Sequence, residues 1–469
     1  MQRRFWQHRF QIWSTHSLIA VTTLGLVAAA CSASKKSAFG AGGPGDSGSG
    51  AASAASGAGG VMKGAGGTTT SGIDLTTSGN GGATSGGNEC ASGENDDNDK
   101  DGFTPKQGDC NDCDKNVNPN AVEVIGGMSG SGGGGTGGGM PADENCDGKV
   151  DELPTPCDKG LNVASTDAFD EAKAIGLCKK SKGALWPSGP VDWGVVTAQW
   201  TSLDQSAPPA NPKYALGHGI VTAFGKNVKV QEGSAMMVIS SGTARQPTDP
   251  GYSSVGGFDK QITMPFPKGK FPKESPSCPG VTTGAAHDGA ATVLKIRVPS
   301  NAHGFKFNFN FYTFEWPGFV CSTFNDFFVA MLDPIPMGLI DGNIVFDKQK
   351  NPVSVNNAFL EVCGCSNGPP CQAGGKNFTC ALGDTTLLGT GFGKDGPMPN
   401  MPNQFGQDHG STMWLETQAP VEPNKEMTIE FAAWDSGDGI LDSTALIDNF
   451  TWIAKSGTTV GTNTVPNPK

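Results

Sequence analysis

The clearest pattern along the chain is alternation. Phe305-Lys306-Phe307-Asn308-Phe309-Asn310-Phe311 sets an aromatic ring at every second position, the repeat of a β-strand with one face buried. Four phenylalanines in that register read as sandwich core rather than as a ligand platform. Further stretches of strand length run over Val293–Val298, Asp326–Leu332, Gly342–Asp347, Ser411–Thr417, Glu426–Asp435 and Thr444–Ile453, with Gly, Pro, Asn and Asp between them. One short helix is expected. Thr166 or Asp167 caps it, Asp170 and Glu171 fill its first turn, and Ala172, Ile175 and Gly176 follow. The pattern predicts a mainly β fold, a jelly-roll-like antiparallel β-sandwich over residues 157–456, with 457–469 as a flexible tail.

Residues 1–156 lack that pattern. Arg3, Arg4 and Arg9 precede an apolar run from Leu18 to Ala30. This is the order of a secretory signal over residues 1–30, and the run is short of the roughly 20 apolar residues that span a bilayer. Cys31 sits where a bacterial lipoprotein signal carries its diacylated cysteine. Ala28 replaces the usual Leu of such signals, and Ala28-Ala29-Ala30 is equally an ordinary cleavage site at the same bond. Lipidation is favoured by the polar tether that follows and by cysteine parity, since 13 cysteines less Cys31 leave an even number. Ser32 rather than Asp implies sorting onward, giving an outer-membrane or cell-surface lipoprotein, or otherwise a secreted protein. Residues 31–89 are Gly, Ser, Ala and Thr with few large apolar side chains, a composition that predicts a disordered tether of about 40 Å mean reach. Of the 69 glycines, 18 fall in residues 40–88 without a collagen period. The net charge of −12 leaves no basic footprint for nucleic acid.

Residues 90–156 are acidic, cysteine-bearing and poor in core. Asp97, Asp99 and Asp101 alternate and Gly102 follows, as at the start of an EF-hand loop. The closing Glu is absent: Gly108 holds the twelfth position and Asp109 comes next. Asp143, Asn145 and Asp147 repeat the alternation before Gly148, with Asp151 and Glu152 placed to close the shell. A hard divalent cation takes roughly six to eight oxygens, which alternating carboxylates around a tight turn can supply. Ca2+ is the expected ion. Cys90, Cys110, Cys113 and Cys146 are expected in structural disulfides, and metal and disulfides are expected to stabilise this small module. A tract holding ten glycines over 126–139 separates the two loops. The run from Asp97 to Asp114, with Val117 to Val124 and Asp143 to Glu152, resembles a family of metal-binding motifs on secreted and surface proteins of diderm bacteria, related to copper-binding motifs. Copper is not carried over, because the segment has no His and its donors are oxygens.

The C-terminal two-thirds carries all seven tryptophans outside the leader. Cys157 and Cys178 bracket the expected helix, which suggests a disulfide. Gly217-His218-Gly219-Ile220, Gln231 to Ala244, Phe305 to Phe319, Phe324 to Phe328, Asn351 to Asn357 and Trp434 to Phe450 resemble, in that order, a choice-of-anchor L domain. The resemblance implies an extracellular domain displayed through varied surface anchors, with no established activity. Within it, Cys363, Cys365, Cys371 and Cys380 look like a stapled insertion, leaving Cys278 and Cys321 as a pair.

Three readings stay open for the acids Glu315, Asp326, Asp435, Asp438, Asp442 and Asp448. They are turn residues, ligands of a structural calcium between strand edges, or a catalytic carboxylate pair, which requires a set gap across a cleft. No G-x-S-x-G, H-E-x-x-H or P-loop occurs, and His218, His287, His303 and His409 are scattered. No catalytic residue is assigned. The expected function is that of a surface-tethered, calcium-binding, non-enzymatic lipoprotein with an adhesive or recognition sandwich, binding the membrane through its lipid and an extracellular protein or glycan. The alternative is a glycan-binding module or carbohydrate-active enzyme on the same sandwich.

Overall fold

A computed structural model describes residues 92–125, 141–186, 189–268, 271, 273–357, 359–364, 370–373, 376–393, 409–466 and 468–469. The expected leader, Cys31, the tether, Cys90, the glycine tract and Cys365 lie outside the described residues, as does the side chain of Cys371.

The helix forms where its caps predict. The Asp167 carboxylate accepts the Phe169 N–H at 2.9 Å, opening α1 (Ala168–Ala174). In chain order the strands are β1 (Gly194–Thr201), β2 (His218–Val221), β3 (Ala223–Phe224), β4 (Val228–Lys229), β5 (Met236–Ser240), β6 (Thr263–Met264), β7 (Ala286–Arg297) and β8 (Gly304–Thr313). Then come β9 (Phe327–Asp333), β10 (Cys371–Ala373), β11 (Lys376–Phe378), β12 (Gly410–Ser411), β13 (Leu415–Pro420), β14 (Glu426–Ser436), β15 (Ser443–Ile453) and β16 (Gly461–Thr464). One sheet runs β1-β7-β14-β9, with β6 on β7. The other runs β16-β13-β8-β15-β5-β2, with β12 on β8. Every ladder is antiparallel, and the two sheets pack as a sandwich.

The alternating phenylalanines point between the sheets. Phe307 meets Phe431 of β14 edge-on at 5.1 Å, and Phe309 meets Phe328 of β9 at 5.1 Å. All four are fully buried, in one cluster with Leu294, Ile296, Ile429 and Ile447. The opposite face of β8 is not the solvated face its polar residues predict. Asn308 and Asn310 are buried as well, accepting from Asn449 Nδ2 at 2.7 Å and Ser411 Oγ at 2.8 Å. Long connections cover the outer faces of both sheets. One buries Tyr312 with Phe224, Val238 and Phe392, the other Trp434 with Tyr214, Met264 and Phe327. Buried amides are tolerated there because they are hydrogen-bonded.

Two expectations change. Residues 342–347 make only the isolated bridges Met331↔Asn343 and Phe346↔Pro352. The Asn343 side chain takes the Ala330 and Val345 N–H groups at 3.3 and 3.2 Å, replacing ladder partners. The tail over 457–469, expected to be flexible, contributes β16 to the open edge of β13, where Thr462 and Thr417 share a 2.6 Å hydroxyl contact. Strands β1 and β5 were not anticipated. The whole of β5 is buried, so it shows no alternation. Among the described residues, no helix is long and apolar enough to cross a membrane.

Four disulfides are described: Cys110–Cys146, Cys157–Cys178, Cys278–Cys321 and Cys363–Cys380. Cys113 is disulfide-bonded too. The acidic module belongs to the same compact unit as the sandwich, Thr84–Lys469. Asn301 clasps Val122, accepting its N–H at 2.9 Å and donating to its carbonyl at 2.8 Å. Buried Asn120 bonds Val191 O and Trp193 N, both at 3.0 Å, and its carbonyl accepts from Ser300 N.

Candidate metal centres

The first acidic loop assigns each carboxylate a divided role. Asp97 accepts the Gly102 N–H, Asp99 the Asp101 N–H, Asp101 the Phe103 N–H, Asp109 the Asn111 N–H and Asp112 the Asn98 N–H, at 2.8–3.1 Å. Each bond uses one oxygen to shape the loop. The second oxygens of Asp99, Asp101, Asp109 and Asp112 are buried without a partner. Carboxylate oxygens of Asp99, Asp109 and Asp112 lie within 4.8 Å of one another, and so do those of Asp97, Asp99 and Asp101. Gly102 turns the chain at φ +98°, a left-handed conformation that glycine adopts without Cβ strain. Burial, and then the neighbouring Asp99 and Asp109, push Asp101 up to about 7. Burial raises Asp109 to about 6, with the Asp99 and Asp112 charges adding to it. Like charges held this close, with no basic partner among the described residues, make a strong field for a cation.

The second loop places its residues differently. Asp143 accepts from Asp147 N and Gly148 N at 3.0 and 2.8 Å, and Asn145 Oδ1 also accepts from Asp147 N. Asp147 is taken up by the Lys149 backbone and by its ammonium, both at 2.9 Å. These alternating residues therefore build the turn. The converging oxygens belong to Glu123, Glu144 and Asp151, within 4.8 Å of one another. Glu123 Oε2, Glu144 Oε1, Asp151 Oδ1 and the neighbouring Glu152 Oε2 are buried without partners. Their remaining oxygens again hold structure: Glu144 takes Val124 N, Glu123 takes Asp151 N and Glu152 takes Asn145 Nδ2. Burial, and then Glu144, raise Glu123 to about 7. Cys110–Cys146 ties the two loops together. Asp112, Glu123 and Glu144 were not anticipated. Their signal in the sequence is an excess of acids between and beside the loops, without the alternation.

The sandwich acids separate. Glu315, Asp326, Asp435 and Asp442 are buried together at one end. Asp438 is partly exposed and accepts from Ile440 N at 3.1 Å. Asp448 lies elsewhere, taking Gln231 N, Glu232 N and Asn449 N to hold the 231–232 loop. His218 belongs to no donor cluster. It is fully buried, stacked on Trp200 at 4.2 Å, with Nδ1 3.3 Å from both Glu171 and Thr292. Burial lowers its pKa. His409 stacks on Phe314 at 3.4 Å. A separate cleft of about 270 Å3 is lined by Trp316, Phe378, Asn356, Asn357, Glu361 and the Cys278–Cys321 bridge.

The two-sheet sandwich and its disulfides are those of an extracellular β domain. Residues 218–451 match the family model of the choice-of-anchor L domain, inside the 157–456 span read from the motifs. The segment from Cys157 through β1 and the acidic module lie outside the match. No curated protein and no solved structure matches the chain. The matched domain and the disulfides fit a cell-surface-associated or extracellular protein.

Proposed function

We propose that this is a non-enzymatic, calcium-binding recognition protein displayed at the cell surface, with lipid on Cys31 as its anchor. One observation carries the calcium reading: two sets of buried carboxylate oxygens converge without partners in a module built of few apolar side chains. Oxygen-only donors suit a hard divalent cation better than zinc or copper. Bound there, calcium would supply positive charge to Asp99, Asp101, Asp109 and Asp112, and to Glu123, Glu144, Asp151 and Glu152. The chain's own part is to aim one oxygen of each residue inward while the other secures the backbone. Through Asn120, Val122 and Asn301, a rigid module would brace one end of the sandwich.

Calorimetric titration of chelator-treated full-length protein with calcium tests this reading. Saturable binding together with a raised thermal midpoint is expected, and no heat at millimolar calcium rejects it. The anchor is tested by metabolic labelling with a palmitate analogue, which should mark the wild type and not Cys31→Ser.

The cleft beside the Cys278–Cys321 bridge favours a second reading, a glycan-binding or carbohydrate-active sandwich. It pairs aromatic rings with amide and carboxylate groups, a lining suited to sugars. A glycan array and hydrolysis screen on the full chain tests it. A signal lost in Glu361→Gln or Asn357→Ala supports this reading, and a blank array excludes it.

A further inference from the structure

The strand registers gather several loops at one end of the sandwich. Gly194, which opens β1, and Glu426, which opens β14, both lie opposite Arg297, the last residue of β7. Thr428 faces Asp333, so β9 also finishes there. The acidic module docks at this same end, because its partners Val191 and Trp193 precede β1 while Ser300 and Asn301 follow β7. The described chain enters through that module, at Ser92. The aromatic cleft is at the opposite end. Trp316 follows the last residues of β8, and Asn356 follows Ser354, which bridges to Phe327 at the start of β9.

After β9 the chain reads Asp333-Pro334-Ile335-Pro336-Met337-Gly338-Leu339-Ile340-Asp341. This apolar loop does not fold back onto the body. Met337 is fully exposed, Ile340 is 68% exposed and Ile335 50%. Nor is it loosely held. Leu339 N donates to Pro336 O at 3.1 Å, closing a turn in which Gly338 has φ +91°, and Leu339 itself packs on the sandwich core. Leu332 N donates to Gly342 O at 2.9 Å, and Lys273 pairs with Asp341 at 2.7 Å. The loop is thus a braced apex that presents apolar side chains to water, the mark of an interaction site. The module adds Ile125, Val150 and Leu153, each at least half exposed. Among the described residues, these are six of the nine exposed large apolar side chains, so such exposure is concentrated on the loop and the module docked at its end. Charge follows the same distribution. The sandwich segments at this end expose Lys180, Lys182, Lys425 and Lys455. Lys180 bridges to Val195 of β1, Lys425 O accepts Val298 N beyond β7, and Lys455 follows β15. The exposed acids there are Asp333 and Glu422, since Asp192 and Asp341 pair with Lys179 and Lys273. A surplus of lysines around an apolar apex, in a chain of net charge −12, matches anionic headgroups lying over hydrocarbon. Lipid parts around a convex apex, whereas a protein partner would need a pocket shaped to it.

We propose that this end of the sandwich seats on a phospholipid bilayer, with Ile335, Met337 and Ile340 entering the headgroup layer and the four lysines meeting lipid phosphates. The contact rests on the reading of a protein displayed at a membrane and gives it an orientation. With the module end against the bilayer, the aromatic cleft at the far end is turned outward.

The test is flotation of the full chain carrying Cys31→Ser, freed of its leader so that no lipid contributes, with vesicles of phosphatidylethanolamine and phosphatidylglycerol. This parent should float. Met337→Asp/Ile340→Asp should weaken its partition by at least about tenfold, since two apolar side chains no longer leave water. Ile440→Asp, exposed at the opposite end, should float like the parent. All three side chains stand in water, so these variants should keep the parent's thermal midpoint. Met337→Trp gives an independent readout. Its added emission should shift to the blue with vesicles and be quenched by brominated acyl chains. A parent that does not float, a double variant that floats equally, or emission that vesicles leave unchanged overturns the bilayer contact. A parent that sediments as a dimer, dissociated by Met337→Asp/Ile340→Asp, overturns it in favour of a second copy of the chain. Failure of the anchor reading has a different signature, namely no palmitate label on the wild type while the Cys31→Ser chain still floats.

Discussion

At the scale of single residues, the acidic module divides its carboxylates into those that build turns and those that leave an oxygen unpaired. Asp97, Asp99, Asp101, Asp109, Asp151 and Glu152, marked out by spacing alone, lie in or beside the converging groups. Asp143, Asn145 and Asp147 carry the same spacing, yet their oxygens close an exposed turn and pair with Lys149. Alternation reports which side chains share one side of a loop. It carries no information about Glu123, which reaches Glu144 and Asp151 from across the glycine tract. The distinction predicts unequal variants. Asp109→Asn should weaken calcium binding by at least about tenfold, ~1.4 kcal/mol, whereas Asp147→Asn should leave it within about twofold. Calorimetry on the two full-length variants compares them directly.

At the scale of elements, the period-two pattern located β8 and most of its neighbours because one face of each must be apolar. Phe309 packs on Phe328 and is fully buried, so Phe309→Ala should cost about 4 kcal/mol in chemical denaturation. The same pattern passed over β5, whose buried residues do not alternate, and β16, which is polar and held by pairing to β13. It also misplaced water, since β14 buries a carboxylate on its outer face. Glu430 accepts from Gln205 at 2.8 Å, leaves Oε1 unpaired, and is raised by burial to about 7. A raised carboxylate binds its proton more tightly in the folded state. Stability should therefore fall as pH rises from the ordinary glutamate range through about 7. Glu430→Gln should remove that slope, matching wild type in acid and gaining up to ~3 kcal/mol at about pH 8. Thermal midpoints of both proteins across pH measure it.

At the scale of the whole molecule, the module and the sandwich belong to one compact unit joined by a few buried amides. Asn301 satisfies both backbone groups of Val122. Asn301→Ala should strip those partners at a cost of ~2 kcal/mol, and should speed proteolysis of residues 92–125 while the sandwich amides keep their hydrogen-exchange protection. Composition and periodicity were sufficient for the sandwich class, the helix cap, the Cys157–Cys178 pairing and the presence of two acidic loops. All of these depend on neighbours within a few turns of chain. The docking of the module, the partner of Cys110, and the meeting of Glu315, Asp326, Asp435 and Asp442 depend on which segments lie side by side, whereas the Cys278–Cys321 pair is already the remainder left by the resemblance. Over a hundred residues separate Glu315 from Asp435. Their approach follows from packing β8 against β14 around a shared aromatic core, and no local pattern encodes that pairing.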